Sequence, residues 1–352
     1  MPRDRFRSGY PAAVARRSPV RTAGAVALGA GIALATGAAA VGLAGNRIRR
    51  ATDPELDPIL RAPGDVVHHQ LATRDGGSLH VVERGAGRPV VLLHGVTLQW
   101  WVWGAQLHTL SDRYRVLAWD MRGHGRSRAG DDGVTLEAVA DDLATLLEEL
   151  DLRDALVVGH SMGGMALGRF CDRHPDLVHE RCAGLMFLAT SVAPIALPLV
   201  AGGAAGVVEL VGRFADVGSR SPRLRLRWSD NAASAVFVRG AFGRRASGTA
   251  VDDVRRMLAE VEPATTVEAA RAIAAHDVRE DLRHVTLPTL VVVGDADLLT
   301  PPAHARGVVD AVPGAQLRVL SGVGHQVMQE DPEALGHLID ELAALADAAP
   351  PG

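Results

Sequence analysis

The feature that most constrains this sequence is a strand pattern, a tight turn and a helix pattern in direct succession. Residues 154–158 predict a buried parallel strand and residues 164–170 predict a helix. Between them lies Gly159-His160-Ser161-Met162-Gly163, where the backbone must reverse sharply and the glycines keep side chains out of the corner. The Ser161 hydroxyl is then exposed at the helix N-terminus, where backbone N–H groups favour developing negative charge. The motif alone leaves two interpretations open: a nucleophile, or a serine that caps the helix.

The rest of the chain alternates between short apolar runs and helical patterns. Residues 66–73 and 78–84 alternate in hydrophobicity and predict an antiparallel hairpin. Further strands are predicted at 89–93, 115–119, 154–158, 184–189, 289–293 and 316–320. Helices are predicted at 101–111, 136–150, 303–312 and 332–346. This alternation predicts an α/β fold whose mostly parallel, eight-stranded sheet is flanked by helices.

Chemically reactive residues directly follow several of the predicted strands. They are His94-Gly95-Val96, residues 120–125, the Ser161 turn, residues 295–297 and the glycine-rich segment that ends in His325. In an open α/β sheet, reactive groups lie at the carboxyl ends of the strands. We therefore expect these segments to form one site.

These motifs, in this order, resemble those of the α/β-hydrolase superfamily, and the resemblance covers about residues 66–345. It implies the α/β-hydrolase fold and a serine hydrolase of the esterase or lipase type. Members of the superfamily carry nucleophile, acid and histidine in that order along the chain. The resemblance therefore implies Ser161 as the nucleophile and His325 as the base.

Two aspartates, Asp295 and Asp297, fit the position of the acid by spacing alone. The superfamily pattern is Gly-x-x-Asp followed by proline four residues after the aspartate. Gly294 and Pro301 complete this pattern with Asp297, so the resemblance favours Asp297. The acid would orient the imidazole and stabilise its charged form.

The resemblance also implies the groups around the nucleophile. The backbone N–H groups of Val96 and Met162 would stabilise the oxyanion of an acyl-transfer intermediate. Trp100 and Trp101 would line the mouth of the substrate pocket, with core packing as the alternative for these side chains. Residues 192–281 interrupt the sheet pattern and are predicted to form a helical cap, which divides the core into residues 65–191 and 282–348.

The amino-terminal part is predicted to be separate from the catalytic domain. Residues 1–21 are rich in arginine, and residues 22–45 are uncharged and long enough to span a bilayer. The excess of arginine before this run predicts a single-pass membrane protein with its catalytic domain outside the cytoplasm. A cleaved export signal and a surface-bound or flexible tail are the alternatives. Residues 46–64, with prolines and mixed charge, are predicted to be a linker.

Composition limits the possible partners and cofactors. The formal net charge of −4 over 352 residues provides no overall attraction to nucleic acid. Cys171 and Cys182 are the only cysteines, and no cluster of metal ligands accompanies them. The sequence also has no glycine-rich loop in the context that binds phosphate. We expect no nucleic-acid partner and no metal, nucleotide or flavin cofactor.

Together, the resemblance and the predicted anchor favour a membrane-associated serine hydrolase that cleaves carboxylic esters of apolar or lipid-like acids through an acyl-enzyme. Cofactor-free haloperoxidases (perhydrolases) and carbon–carbon bond hydrolases of the same fold are alternatives, because they share the Ser-His-Asp triad. A binding protein without catalytic activity is a further alternative. The complete set of Ser161, Asp297 and His325 speaks against it, since binding alone does not require all three.

Overall fold

The computed structural model describes residues 41–195 and 232–349, which contain one eight-stranded sheet. Its strands are β1 (Val67–Ala72), β2 (Ser78–Arg84), β3 (Pro89–Leu93), β4 (Arg115–Asp120), β5 (Ala155–His160), β6 (Cys182–Leu188), β7 (Thr289–Gly294) and β8 (Gln316–Leu320). Their spatial order is β1-β2-β4-β3-β5-β6-β7-β8. Strand β2 runs antiparallel to both of its neighbours, and the other pairs are parallel. The predicted fold class is confirmed.

Helices cover both faces of this sheet. The described helical segments are residues 41–49, Leu56–Leu60, Gly104–Thr109, Leu136–Glu149, Met162–Arg173, Pro175–Arg181, Ala232–Arg239, Gly248–Glu260, Pro263–Ala275, Pro302–Ala311, Val327–Glu330 and Pro332–Ala348, with a 3₁₀ turn at Trp100–Trp103. Two apolar cores result, one on each face of the sheet. The central strands β3, β5 and β7 are buried along their whole length because helices pack on both sides of them, whereas the edge strand β1 is largely exposed.

The parallel strands in the middle of the sheet end next to one another. Gly159 on β5 pairs with Leu93, the last residue of β3. His160 pairs with Leu188, the last residue of β6. The segments that follow these strands therefore lie side by side along one edge of the sheet, as the sequence predicts.

Between β6 and β7 the described chain forms helices instead of strands. Three helices lie within residues 232–281, and their buried side chains, such as Val254 and Ala269, join the two cores. This agrees with a helical insertion, although residues 196–231 of the predicted cap lie outside the described residues. The division into core and cap stays a prediction.

The prediction of a single-pass membrane protein is wrong, because none of the helices that the structure describes could cross a bilayer. Neither 41–195 nor 232–349 contains a helix long and apolar enough to cross a bilayer. The basic tail and residues 22–40 of the predicted anchor lie outside the described residues. Residues 41–45 of that run belong to the helical segment 41–49. The predicted placement of the catalytic domain outside the cytoplasm loses its basis with the anchor.

Part of the predicted linker 46–64 packs closely on the catalytic domain. Leu60, the last residue of a short helix, is only 2% exposed and belongs to one of the two apolar cores. Its carbonyl oxygen lies so near Gly104 that a Cβ at that position would be 2.2 Å away. His108 also bonds to the neighbouring carbonyl of Arg61 at 2.9 Å. This segment therefore stabilises the domain that follows it.

Replacing Leu60 with alanine tests this packing. Because Leu60 is buried, we expect Leu60→Ala to lower the free energy of unfolding by about 2–5 kcal/mol, measured by chemical denaturation. Leu43→Ala is the matched control, since Leu43 is 74% exposed and its loss changes stability by less than about 0.5 kcal/mol. Equal effects of the two substitutions would show that the segment does not pack as described.

Candidate active site

Ser161 lies at the turn between β5 and the following helix, in a conformation that non-glycine residues rarely adopt. Its φ is 52° and its ψ is −118°, a strain that costs about 1–3 kcal/mol. Its N–H donates to the Leu188 carbonyl at 3.0 Å, and its own carbonyl accepts from the N–H groups of Gly164 and Met165. The Thr190 hydroxyl donates a further hydrogen bond to that carbonyl at 2.6 Å. These four bonds stabilise the strained turn.

The glycines on either side of Ser161 are required by close packing. A Cβ at Gly159 would lie 2.6 Å from the carbonyl oxygen of Gly163. A Cβ at Gly163 would lie 2.6 Å from the carbonyl oxygen of His94. Any side chain at these positions would therefore push apart the backbone segments that meet at the turn.

The Ser161 side chain does not cap the helix that it precedes. No N–H group of the helix donates a hydrogen bond to its hydroxyl oxygen. The residue is 8% exposed and lies at the edge of the sheet where the parallel strands end. The capping interpretation is thereby removed, and the hydroxyl remains available for chemistry.

His325 and Asp297 form a buried pair. Their Nδ1 and Oδ2 atoms are 2.9 Å apart, and the two residues are only 4% and 2% exposed. Because an ionised carboxylate can only accept, Nδ1 donates the proton of this bond, which in the neutral ring leaves the lone pair on Nε2. A histidine in this state is suited to act as a general base.

Asp297 accepts further hydrogen bonds from its own loop. The backbone N–H groups of Leu299 and Thr300 donate to Oδ1 at 2.8 and 2.9 Å, and the Thr300 hydroxyl donates to Oδ2 at 2.8 Å. Burial raises the pKa of Asp297, but the charge of His325 and these hydrogen bonds lower the pKa more, so that it lies well below its ordinary value. Asp297 is therefore ionised at neutral pH. The sequence analysis did not identify Thr300, whose only signal is its position directly before Pro301.

Asp295, the other candidate for the acid, bonds to a different group. Its Oδ1 accepts from the Gly322 N–H at 2.7 Å, at the start of the loop that carries His325. No hydrogen bond joins its carboxylate to the His325 ring, and both residues lie in the described part of the chain. The geometry thus favours Asp297 as the partner of His325.

His160, the neighbour of Ser161, contacts His325 directly. Its Nε2–H donates to the backbone carbonyl of His325 at 2.9 Å, and the two ring centroids are 4.8 Å apart. Burial and the nearby His325 lower the pKa of His160 well below its ordinary value, so this ring is neutral. His160 therefore stabilises the backbone of His325, a contact that the sequence analysis did not predict.

Two backbone N–H groups beside Ser161 are unpaired. Within residues 41–195 and 232–349, those of Val96 and Met162 have no acceptor. The loop that contains Val96 packs on the Ser161 turn, because a Cβ at Gly95 would lie 3.1 Å from the Ser161 Cβ. Unpaired donors next to a hydroxyl are suited to stabilise an oxyanion.

Two buried histidines fix the loop that contains Val96. The His94 ring accepts from the Met121 N–H at 3.0 Å through Nε2, and its Nδ1 donates to the Gly95 carbonyl at 2.7 Å. The His124 ring accepts from the N–H of Thr97, a residue with a strained φ of 61°, at 3.2 Å. Burial lowers the pKa of His94 to about 3 and also lowers the pKa of His124. Both rings are therefore neutral and keep the unprotonated nitrogen that accepts these bonds.

The predicted substrate-binding residues Trp100 and Trp101 contact different parts of the protein. The Trp100 ring packs edge-on against the rings of His68 and His80, with both centroid distances 6.3 Å. The Trp101 Nε1–H donates to the Gln99 side chain at 2.9 Å, and that side chain bonds in turn to the helix Gly248–Glu260. Trp100 thus packs against the outer strands β1 and β2. The binding of substrate by these two residues stays a prediction.

His160 links Ser161 to His325, because it directly precedes Ser161 in the chain and its ring bonds to the His325 carbonyl. No hydrogen bond joins the Ser161 hydroxyl to the His325 ring, two groups that both belong to the described residues. Nucleophile–base hydrogen bonds of this kind often become short only when substrate is bound. Among the residues that the structure describes, no group of three His, Cys, Asp or Glu side chains is arranged to hold a metal ion.

Comparison with known proteins shows the family. Residues 88–332 match the family model of the alpha/beta hydrolase fold. The chain is 34% identical over 261 residues to a non-heme chloroperoxidase, CPO-A1, of Kitasatospora aureofaciens, covering 72% of this chain and 91% of that protein. It is 31% identical over 259 residues to a non-heme haloperoxidase of Rhodococcus erythropolis, covering 72% and 92%. A thermophilic esterase from Thermogutta terrifontis has a similar structure, with a TM-score of 0.64, 27% identity and coverage of 80% of this chain and 99% of that one. The chain therefore belongs to the α/β-hydrolase family.

Proposed function

We propose that this protein is a serine hydrolase that cleaves carboxylic esters of apolar or lipid-like acids. Ser161 is the nucleophile, His325 the general base, and Asp297 the acid that orients it. The observation that carries this proposal is the buried Asp297–His325 pair. The backbone of His325 is bonded to His160, the residue directly before the strained Ser161, whose side chain does not cap its helix. The similarity to an esterase supports the same reaction class.

The first half of the reaction forms an acyl-enzyme. His325 Nε2 takes the proton from the Ser161 hydroxyl as the serine oxygen attacks the ester carbonyl carbon. The Asp297 carboxylate stabilises the resulting imidazolium through the proton on Nδ1. His325 then gives its new proton to the alkoxy oxygen as the C–O bond breaks, and the alcohol leaves.

The carbonyl oxygen becomes negative during this attack. The N–H groups of Val96 and Met162 are the donors for it, and each such donor typically contributes about 10²–10³ in rate. Neutral His94 and His124 keep the loop of Val96 in place, so little reorganisation is needed when the charge develops. In the second half of the reaction, His325 takes a proton from water as the water oxygen attacks the acyl carbon. His325 then gives this proton to Ser161 Oγ as the bond between Oγ and the acyl carbon breaks and the acid leaves.

Apolar side chains near Asp297 support an apolar acyl group. Leu298 and Leu299 directly follow the acid and are 69% and 38% exposed. Val96 and Ile195 are partly buried on the core beneath the same edge of the sheet. Since exposed leucines gain free energy when apolar surface covers them, an alkyl chain is favoured over a charged group.

Perhydrolysis is the second candidate, because two relatives at more than 30% identity are named as haloperoxidases. In that reaction hydrogen peroxide attacks the acyl-enzyme instead of water. The product is a peroxy acid, which then oxidises halide in solution. This pathway uses the same three side chains and the same two N–H groups.

The most direct test combines covalent labelling with an ester series. We expect a fluorophosphonate probe to label the wild-type protein on Ser161, and p-nitrophenyl esters to be hydrolysed with a preference for longer acyl chains. Ser161→Ala should abolish labelling and lower kcat by about 10⁴-fold or more. A peroxide-dependent bromination assay run in parallel compares hydrolysis with perhydrolysis.

Ser111→Ala is the matched control, since the Ser111 hydroxyl bonds to the Leu107 carbonyl far from the proposed nucleophile. It should leave labelling and kcat unchanged. Labelling of the Ser161→Ala variant, or a wild-type protein that neither reacts with the probe nor turns over any ester, would overturn the proposal.

Thr300→Val removes the hydroxyl that donates to Asp297 while keeping the side-chain shape. Hydrogen bonds to charged groups are worth about 1.5–3 kcal/mol. We therefore expect kcat to fall about tenfold or more with KM little changed, because the weakened carboxylate stabilises the imidazolium less. Folding lowers the pKa of Asp297, so its carboxylate stabilises the folded protein above its unfolded pKa and loses this effect as the pH falls. The decrease in the free energy of unfolding caused by Thr300→Val should therefore become smaller in acid.

Thr145→Val is the control for this comparison. Its hydroxyl is also buried, but it donates to the Asp141 carbonyl within a helix. The Thr300 hydroxyl also lies 3.2 Å from His325 Nδ1. If both substitutions change kcat equally, or if Thr300→Val leaves kcat at the wild-type value, this hydroxyl does not act on the Asp297–His325 pair.

A further inference from the structure

A buried carboxylate lies directly behind the loop that carries His325. Glu330, the last residue of the short helix Val327–Glu330, is only 4% exposed. Its Oε2 accepts from the Gly243 N–H at 2.7 Å, and its Oε1 accepts from the Gly324 N–H at 3.0 Å. One carboxylate therefore connects the residue before His325 with the segment that joins two helices of the predicted cap.

The two connected segments also bond to each other through their backbones. The Arg244 N–H donates to the Gly322 carbonyl at 2.7 Å, and the His325 N–H donates to the Ala241 carbonyl at 2.9 Å. The backbone of His325 is thus bonded on both sides, because its carbonyl also accepts from His160.

The approach of these segments excludes side chains at their closest point. A Cβ at Gly243 would lie 2.5 Å from the backbone nitrogen of Gly324. A Cβ at Gly324 would lie 2.2 Å from the backbone nitrogen of Gly243. Two N–H groups so close to each other repel unless an acceptor binds both, and the Glu330 carboxylate is that acceptor.

We propose that Glu330 is a positioning residue for His325: its carboxylate binds the Gly243 and Gly324 N–H groups together and thereby fixes the loop that presents the base to Ser161. This inference rests on the proposed function, because it concerns the same reaction. Glu330 touches neither substrate nor the His325 ring, and it acts through the backbone of the residue before the base. In this way, segment 241–244 of the predicted cap also helps to hold His325 in position.

Glu330→Gln is the variant that tests this role. A glutamine has the same shape, but it offers one acceptor oxygen and turns an NH₂ group toward the other N–H. We expect kcat for p-nitrophenyl acetate, per fluorophosphonate-titrated site, to fall about 100-fold, the loss typical of a displacement of about 1 Å. KM should stay within about threefold of wild type, because substrate contacts are unaffected. The rate of fluorophosphonate labelling should fall with kcat, since both need His325.

Asp253→Asn is the matched control, because Asp253 is a buried carboxylate of the cap helix Gly248–Glu260. This substitution changes a buried carboxyl group of the same predicted cap, and kcat should stay at the wild-type value. If Glu330→Gln does not fold, Glu330→Asp takes its place, since the shorter carboxylate reaches only one of the two N–H groups and should also lower kcat with KM unchanged.

The outcomes separate this inference from the function on which it rests. A wild-type protein that is labelled and active, with Glu330 variants of lower stability but wild-type kcat per titrated site, contradicts the positioning role alone. A wild-type protein that is neither labelled nor active contradicts both, because a positioning residue requires a reaction to support.

Discussion

The positive φ at Ser161 is the constraint on which the rest of the site depends. A serine in this conformation is unfavourable by itself, and it persists because its N–H bonds to β6 while its carbonyl accepts from the following helix and from the Thr190 hydroxyl. At the same turn the hydroxyl makes no capping bond to the helix, and the Met162 N–H has no acceptor among the described residues. The cost of the strained turn is therefore linked to two features that acyl transfer needs, an available nucleophile and an available oxyanion donor.

The groups around this turn are fixed by buried residues that remain neutral or paired. His94, His124 and His160 all have lowered pKa values because they are buried, and each binds a backbone group without carrying charge. Asp297 is the charged exception, and its four hydrogen bonds compensate for burial. A site arranged in this way has its dipoles in place before substrate binds, which is the main source of electrostatic catalysis.

Sequence patterns predicted the parts of this structure that follow from local periodicity and strand order. Buried apolar runs predicted the sheet, and their carboxyl ends predicted one shared site. The family resemblance, not the spacing, favoured Asp297 over Asp295 as the partner of His325. The contacts of Thr300, His160 and Glu330 were not predicted, because each joins backbone groups whose proximity depends on how loops fold over the sheet edge. For Trp100 the sequence left pocket lining and packing open, and the ring packs on the outer strands. The membrane anchor was predicted from an uncharged run and the arginines that flank it, and the described helices correct it.

The central claim is that one ester group is bound by all parts of the site at once. Ser161 attacks its carbonyl carbon with His325 as the base, while the N–H groups of Val96 and Met162 bind its carbonyl oxygen. A crystal structure of the protein after reaction with a small fluorophosphonate tests this most directly. We expect the phosphonyl group on Ser161 Oγ, its oxygen about 2.7–3.1 Å from the nitrogens of both Val96 and Met162, and His325 Nε2 within hydrogen-bond distance of Oγ. A phosphonyl oxygen bound to other groups, or a His325 ring turned away from Ser161, would contradict the account.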